Sequence, residues 1–208
     1  MLRSLYTRLV SSVLFPLHET VKRHTTTQVR RELEKTQWYA PEQLDQWCVE
    51  RMRRFLMRAG KQVPYYRKLF AETGFDPSAY GSSADIAQLP CLTKAVIRNN
   101  MEDLLADNAG PVSRFNTGGS SGEPLIFMLG KERVSHDVAA KWRATRWWGV
   151  DIGDPEIVVW GSPVELGAQD RVRALRDAVI RTELLPAFEM SPEKLDGFIR
   201  TIRRRRPA

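Results

Sequence analysis

The spacing of apolar residues changes near residue 110, and this change most constrains what the chain can fold into. Before that point, apolar residues recur every three or four positions, which is typical of core-facing helices. After it, short apolar runs bounded by glycine alternate with helical stretches, which indicates strands separated by helices. The sequence therefore predicts an α/β fold, with a mainly helical N-terminal region over 1–110 and the start of an α/β region over 111–208.

In the helical region, the clearest helix begins at Pro41 and is expected to end at Gly60. Its expected core-facing residues are Leu44, Trp47, Cys48, Met52, Phe55 and Leu56. A shorter helix is expected to end at Gly74, which can adopt the left-handed conformation, and Thr93 is expected to cap another.

In the α/β region, strands are expected over 125–129 and 156–160, because these runs are apolar or β-branched and bounded by turns. Helices are expected over 131–148, over 168–180 and after the N-cap Ser191. Two sets of residues are expected to be buried: Trp142, Trp147 and Trp148 in the first helix, and Leu195, Phe198, Ile199 and Ile202 in the last.

Composition indicates a globular protein rather than a disordered one, since 42% of the residues are hydrophobic and 27% are charged. The net charge of +7 suggests a nucleic-acid partner. However, five arginines lie at the extreme C-terminal end, and without them the net charge would be +2. These residues are Arg200, Arg203, Arg204, Arg205 and Arg206. A basic nucleic-acid-binding protein is a further alternative only, because such modules spread their charge over a face or groove.

No metal site is expected, because the two cysteines, Cys48 and Cys91, have no ligand spacing. The histidines have no nucleophile or carboxylate at a spacing that indicates acid–base catalysis, and none is taken as catalytic. The apolar run that ends at Phe15 is too short to span a membrane and lacks the cleavage site of a signal peptide. A cytoplasmic chain with reduced thiols is therefore expected.

Residues 117–124 form a loop whose serine, threonine and glycine content indicates a function beyond connecting two elements. Its glycines allow backbone N–H groups to turn inward, and its hydroxyls add donors, which together suit a polyanion such as phosphate. A flexible surface loop rich in serine and glycine is the alternative. The loop is not a Walker A motif, because Glu123 follows Gly122, and it lacks the Gly-x-Gly-x-x-Gly spacing of dinucleotide sites.

The same loop resembles the Ser/Thr/Gly-rich signature of adenylate-forming enzymes, which ends in Gly-x-Pro. Segments elsewhere resemble the phenylacetate–CoA ligase family, closest to its capsular polysaccharide biosynthesis (CapK-like) branch, and they occur in the family's order over nearly the whole chain. They are Val63-Pro64-Tyr65-Tyr66-Arg67, Leu89-Pro90-Cys91-Leu92-Thr93-Lys94, Trp147-Trp148-Gly149-Val150 and Trp160-Gly161-Ser162-Pro163-Val164-Glu165.

The resemblance implies ATP-dependent activation of a carboxylic acid to an acyl-adenylate, followed by transfer to coenzyme A. ATP with Mg²⁺, the acid and coenzyme A are then the small-molecule partners. The loop residues that the resemblance assigns to the ATP phosphates are Thr117, Gly118, Gly119, Ser120, Ser121, Gly122 and Pro124. Many relatives have lysine where this chain has Glu123, whose carboxylate is expected to point away from the phosphates.

A second candidate site lies at Trp160, Gly161 and Ser162, at the carboxyl end of an expected strand, where α/β sheets tend to bind ligands. A strand end with a core tryptophan is the alternative. Members of the family are about twice this length or more, so we expect the chain to be the N-terminal portion, with little or no activity alone and poor solubility. The alternative function is a non-enzymatic nucleotide-binding or interaction module.

Overall fold

The N-terminal segment forms one nearly continuous helix followed by a second. The elements are α1 (Leu5–Leu9), a π-helical turn (Val10–Leu14), α2 (Phe15–Val21) and α3 (Thr26–Thr36). The Ser4 hydroxyl oxygen accepts the Thr7 N–H at 3.1 Å and so caps α1. This cap is needed because N–H groups in the first turn of a helix have no partner within it.

The helical periodicity up to residue 110 forms several further helices. They are α4 (Pro41–Gln62), α5 (Pro64–Thr73), a 3-10 turn (Pro77–Ala79), α6 (Ser83–Ile86) and α7 (Lys94–Asn99). The expected end of α4 at Gly60 is wrong, because the helix continues for two residues. Gly60 lies against the ring of Phe70, where a Cβ would come within 2.9 Å of Cδ2. The expected end before Gly74 is confirmed, with φ +66°.

Strands and helices alternate after residue 110, as the sequence predicts. The elements are β1 (Val112–Asn116), β2 (Ile126–Gly130), α8 (Lys131–Trp147), β3 (Glu156–Trp160), α9 (Arg171–Ile180), β4 (Thr182–Pro186) and α10 (Pro192–Arg205). β1 pairs with β2 antiparallel, and β3 pairs with β4 parallel. β4 was not predicted from the sequence; it follows α9 after a single residue, Arg181.

The computed structural model describes residues 4–117, 124–160, 171–187 and 190–208, except for the side chains of 171–173. Contacts divide the chain into two units: unit 1 contains Met1–Leu33 and Ser135–Ala208, and unit 2 contains Glu34–Val134. Within the described residues, no helix combines the length and the apolar character needed to cross a bilayer.

The core of unit 2 is built by one side of α4 and the segments that follow it. Its buried members are Leu56, Phe70, Phe75 and Tyr80, with Val49 and Met52 of α4 packed against them. The rings of Phe70 and Phe75 lie 4.9 Å apart and are tilted by 54°, within the range that favours aromatic pairs. The Arg53 Nε donates to the Tyr80 carbonyl at 2.9 Å and holds this residue against α4.

The core of unit 1 lies where the N-terminal helix meets α8. Trp142 is almost wholly buried, and Phe15 contacts its indole edge-on at 5.2 Å between ring centroids. Val10 and Ser135 are also buried, and the Ser135 hydroxyl accepts the Thr25 N–H at 3.1 Å. The core thus joins residues from the two sequence segments that form unit 1.

Several residues expected in a core are exposed. In α4, Leu44, Cys48 and Phe55 are exposed because the helix buries the side that carries Leu56 and Ala59 instead. In α8, Trp142 is buried as expected, but Trp147 is exposed, because it lies off the buried side defined by Ser135, Ala139 and Trp142. Trp148 is exposed just past the end of the helix. In α10, Leu195, Ile199 and Ile202 are exposed, and only Phe198 is half-buried.

Candidate functional site

The glycine-rich loop connects the two strands of the β1–β2 hairpin in unit 2. Its residues 118–123, which include the candidates Gly118, Gly119, Ser120, Ser121 and Gly122, lie outside the described residues. Asn116 and Ile126 form the last strand pair before the loop. Beyond them, the Thr117 N–H donates to the Leu125 carbonyl at 3.0 Å. The loop is therefore anchored at its base by a strand pair and one further backbone hydrogen bond.

Thr117 contributes its side chain to this anchor as well. Its hydroxyl oxygen accepts the Leu125 N–H at 3.0 Å. A hydroxyl that accepts one bond still has its own proton to donate. Thr117 is exposed at the mouth of the loop, and Pro124 is exposed on the other side. The geometry thus lets Thr117 close the loop and donate to an anion in the loop at the same time.

The strands that carry the loop are joined by an aromatic pair directly below it. Phe115 lies opposite Phe127 in the register, with ring centroids 6.4 Å apart and planes 23° from parallel. Cross-strand aromatic pairs stabilise a hairpin by roughly 0.2–1 kcal/mol. α8 starts directly after β2, at the opposite end of the hairpin from the loop. The N-terminal end of α8 is therefore about 14 Å from Ile126 at the base of the loop, and a helix dipole acts only within about one turn of its end.

The second candidate site lies at the end of β3 in unit 1. Trp160 is the last residue of this strand and is 47% exposed, so the interpretation as a core tryptophan is wrong. Its carbonyl accepts the Ala187 N–H at 2.8 Å, which extends the parallel pairing past Pro186. Gly161 and Ser162 lie outside the described residues. What the structure contributes here is an exposed indole at the carboxyl end of a parallel strand, a position that suits ligand contact.

The segment Val63–Arg67, one of those that carry the family resemblance, has a structural role in unit 2. The Tyr65 N–H donates to the Asp103 carbonyl at 2.9 Å, and Arg67 forms an ion pair with Asp107. Burial raises the pKa of Tyr66, whose ring packs on Phe70 at 5.8 Å between centroids. These contacts hold the start of α5 against the 103–107 segment.

A buried carboxylate in unit 1 went unnoticed in the sequence. Glu19 is nearly inaccessible, and its two oxygens lie 3.1 Å from Nδ1 of His18 and Nδ1 of His24 respectively. The Thr26 hydroxyl donates to the same carboxylate. Burial lowers the pKa of His18, although the neighbouring Glu19 opposes that shift. The signal in the sequence was the four-residue spacing from the buried Phe15, which places Glu19 on the inner side of the helix.

A second buried carboxylate fixes the turn between α8 and β3. Asp151 accepts the Trp142 Nε1–H through Oδ1, while Arg146 donates to Oδ2 from Nε at 3.2 Å and from Nη2 at 3.1 Å. The backbone N–H of Asp151 donates to Asp154 Oδ2 at 2.8 Å. Asp154 in turn accepts the Thr7 hydroxyl at 2.6 Å. This network ties α1 and α8 to the start of the parallel strands.

Metal-binding chemistry is not evident in the described part of the chain. There, no group of three histidine, cysteine, aspartate or glutamate side chains is placed to hold an ion. Cys48 and Cys91 are exposed free thiols in unit 2.

Structural comparison connects the fold with solved acid–CoA ligases. Three structures of 2-hydroxyisobutyryl-CoA ligase each align with 81% of this chain: one in the postadenylation state with R3-HIB-AMP, one open conformation with 2-HIB-AMP and CoA, and one in the thioesterification state with both. Their TM-scores are 0.58, 0.58 and 0.52, at 19%, 20% and 21% sequence identity.

The chain spans 36%, 40% and 37% of the lengths of those ligase chains. No family profile matches this sequence, and a search of curated proteins finds no match either. At such low identity the likeness concerns the fold. The chain thus has the fold of part of an adenylate-forming enzyme, with a helical N-terminal region and small sheets.

Proposed function

We propose that this chain provides the N-terminal, phosphate-binding part of a cytoplasmic, ATP-dependent acid–CoA ligase. The observation that carries the proposal is the coincidence of two independent features. The fold aligns with a ligase whose structures hold an acyl-AMP and CoA, and the hydroxyl- and glycine-rich loop lies on a closed antiparallel hairpin in this chain. The alignment alone supports a fold, and the loop alone supports a surface loop; the proposal depends on both.

The proposed chemistry is the attack of a carboxylate on the α-phosphate of ATP, with loss of pyrophosphate, and then transfer of the acyl group to the thiol of coenzyme A. We assign residues 117–124 to the β- and γ-phosphates, with Glu123 turned away from them. Thr117 fits this role, because its hydroxyl can donate to a phosphate while it accepts from Leu125. Hydrogen-bond donors fixed in place before the reaction stabilise developing negative charge at no reorganisation cost.

The substrate assignment rests on sequence segments. The four segments that resemble the phenylacetate–CoA ligase family, and its CapK-like branch most closely, favour an aryl or acyl acid as the substrate. We place the acid near Trp160, Gly161 and Ser162, since the indole at the end of β3 is exposed. The Mg²⁺ that accompanies ATP is expected to be held by phosphate oxygens and water more than by protein carboxylates.

The second candidate is a nucleotide-binding module without catalytic activity. The observation that favours it is the coverage, since the chain spans at most 40% of the ligase chains that it matches. Under our proposal, the chain supplies the phosphate contacts while the remaining contacts to the nucleotide come from the rest of the enzyme. Pyrophosphate should then bind about as tightly as ATP, whereas a module that recognises a whole nucleotide should prefer ATP.

The test is titration calorimetry of the 208-residue chain with MgATP and with magnesium pyrophosphate. We expect both to bind, and we expect Ser120→Ala combined with Ser121→Ala to weaken binding at least about tenfold, because each hydrogen bond to a charged group contributes about 1.5–3 kcal/mol. Ser113→Ala in β1 is the matched control and should bind as the wild type does. No binding of either anion, or an equal loss in the control, would refute the assignment of the loop.

The catalytic part of the proposal is tested separately by ATP–pyrophosphate exchange with a panel of aryl and acyl acids. The isolated chain should show no turnover, because the proposal places other parts of the active site outside it. Rapid exchange by the 208 residues alone would show that these residues already contain a complete active site.

A further inference from the structure

The N-terminal helix carries an apolar stripe on its outer side. Its members are Leu5, Leu9, Val13, Leu17 and Val21, which are 84%, 49%, 52%, 59% and 76% exposed. They recur every four residues over about 25 Å of helix. We call this set the N-terminal stripe.

The opposite side of the same helix is buried in unit 1. Its buried members are Val10 and the set Thr7, Ser11, Phe15 and Glu19, which has four-residue spacing and is offset from the stripe by two positions. A four-residue spacing drifts around an α-helix, because one turn takes only 3.6 residues. The π-helical turn at Val10–Leu14 is wider and offsets part of this drift. The helix is consequently apolar on its outer side although its inner side already has partners, which is unusual for a helix at a water-exposed surface.

The exposed charge along this helix has a single sign. Arg8, Lys22 and Arg23 are exposed cations at or beside the stripe. Glu19 is the only acidic residue in the described segment 4–24, and its carboxylate is turned inward onto His18 and His24. The outer side of the helix therefore combines aliphatic side chains with positive charge alone.

We propose that the N-terminal stripe docks onto the surface of an anionic lipid bilayer. A helix that lies in the interface buries its apolar side at the boundary between headgroups and acyl chains, and cations beside it attract anionic lipids. Leucine and valine supply the apolar contact here, and Arg8 with the Lys22–Arg23 pair supplies the attraction from both ends of the stripe. This binding leaves the helix on the membrane surface, and it is independent of the proposed ligase function.

A second copy of the chain fits the same surface less well. Two copies of the helix pairing antiparallel about Val13 would bring Arg8 of each copy beside His18 of the other. The described segment 4–24 offers no exposed carboxylate to neutralise such contacts. A cation brought into an interface without an opposite charge loses hydration without compensation, whereas an anionic membrane complements it. Charge thus favours lipid over self-association.

The experiment is co-sedimentation of the full 208-residue chain with vesicles of phosphatidylcholine, with or without phosphatidylserine. We expect strong binding to the anionic vesicles and weak binding to the neutral ones. Leu9→Asp combined with Leu17→Asp should reduce binding to the anionic vesicles at least about 100-fold, since two leucines leave the lipid. Leu44→Asp, at an exposed leucine of α4 in unit 2, is the matched control and should bind like the wild type.

A charge variant tests the second half of the proposal without touching the stripe. Arg8→Glu should weaken binding to anionic vesicles about tenfold and leave binding to neutral vesicles unchanged. Far-UV circular dichroism with a thermal melt verifies that each variant is folded. The proposal is overturned if the wild type binds neither vesicle, or if the Leu9/Leu17 variant binds as the wild type does. It is also overturned if sedimentation velocity shows a dimer that only the Leu9/Leu17 variant breaks.

Discussion

Replacing Gly153 with alanine should destabilise unit 1 through a contact with the first helix. Gly153 lies in the turn between α8 and β3 and has φ +98°. An added Cβ would lie 2.7 Å from Val10 Cβ, 3.1 Å from Val10 Cγ1 and 3.3 Å from Thr7 Cα. Such distances are shorter than van der Waals contact, so either the turn or the helix has to move.

Two terms contribute to the expected loss. The positive φ costs an L-residue about 1–2 kcal/mol. Overpacking a site with no free space costs a further 1–3 kcal/mol or so. Val10 has no accessible surface, and Thr7, which is equally buried, is held by its hydrogen bond to Asp154, so little relaxation is expected. The free energy of unfolding should therefore fall by about 2–5 kcal/mol.

Gly149→Ala isolates the backbone term. Gly149 also has a positive φ, +79°, but nothing lies within 4 Å of the position of its missing Cβ. Its replacement should cost only about 1–2 kcal/mol. Equilibrium urea unfolding followed by circular dichroism measures both variants. If Gly153→Ala is no more destabilising than Gly149→Ala, the close approach of the turn to Val10 does not limit this site, and the reasoning fails.

Three further predictions concern hydrogen bonds. Asp151→Ala should lower the free energy of unfolding in a urea titration by about 3 kcal/mol, because it removes a buried acceptor from Trp142 and Arg146; no change would refute the role of the network. Asp85 accepts the Gly81 and Ser82 N–H groups, which lower its pKa below 3.8. Because the folded-state pKa is depressed, the wild type should have a higher free energy of unfolding than Asp85→Asn above pH 3.8. This difference should shrink as the pH falls through the folded-state pKa, and a difference that does not change with pH would contradict the prediction. Thr117→Val should weaken pyrophosphate binding in calorimetry by about tenfold, since the hydroxyl proton is lost; unchanged affinity would remove Thr117 from the site.

Local physics accounts for the features that the sequence predicts well. Thr93 caps α7 by accepting the Val96 N–H at 3.2 Å, and Ser191 caps α10 by accepting the Lys194 N–H at 3.3 Å. Both depend on residues three positions apart. The hairpin around the loop was predictable for the same reason, because its two strands are close in sequence.

Features that depend on distant partners were not predictable in this way. The apolar side of α10 indicated burial, but no periodicity shows which segment would cover it, and Leu195 and Ile199 are exposed. β4 lacks the glycine boundaries that identified the other strands, and only its pairing with β3 shows it to be a strand. Glu19 meets His24 and Thr26 because the chain reverses after α2, a turn in which Arg23 adopts φ +56°.

The two halves of unit 1 are made at different times. The Tyr6 hydroxyl donates to the Val179 carbonyl, 173 residues later in the sequence. The Thr7 hydroxyl donates to Asp154, which is 147 residues later. At a synthesis rate of about 5–20 residues per second, Tyr6 leaves the ribosome roughly 10–35 s before its partner. Unit 2 is continuous in sequence and can fold within that interval. Until the second half of unit 1 is made, the first helix therefore lacks these two partners, and its inner side is open to a chaperone.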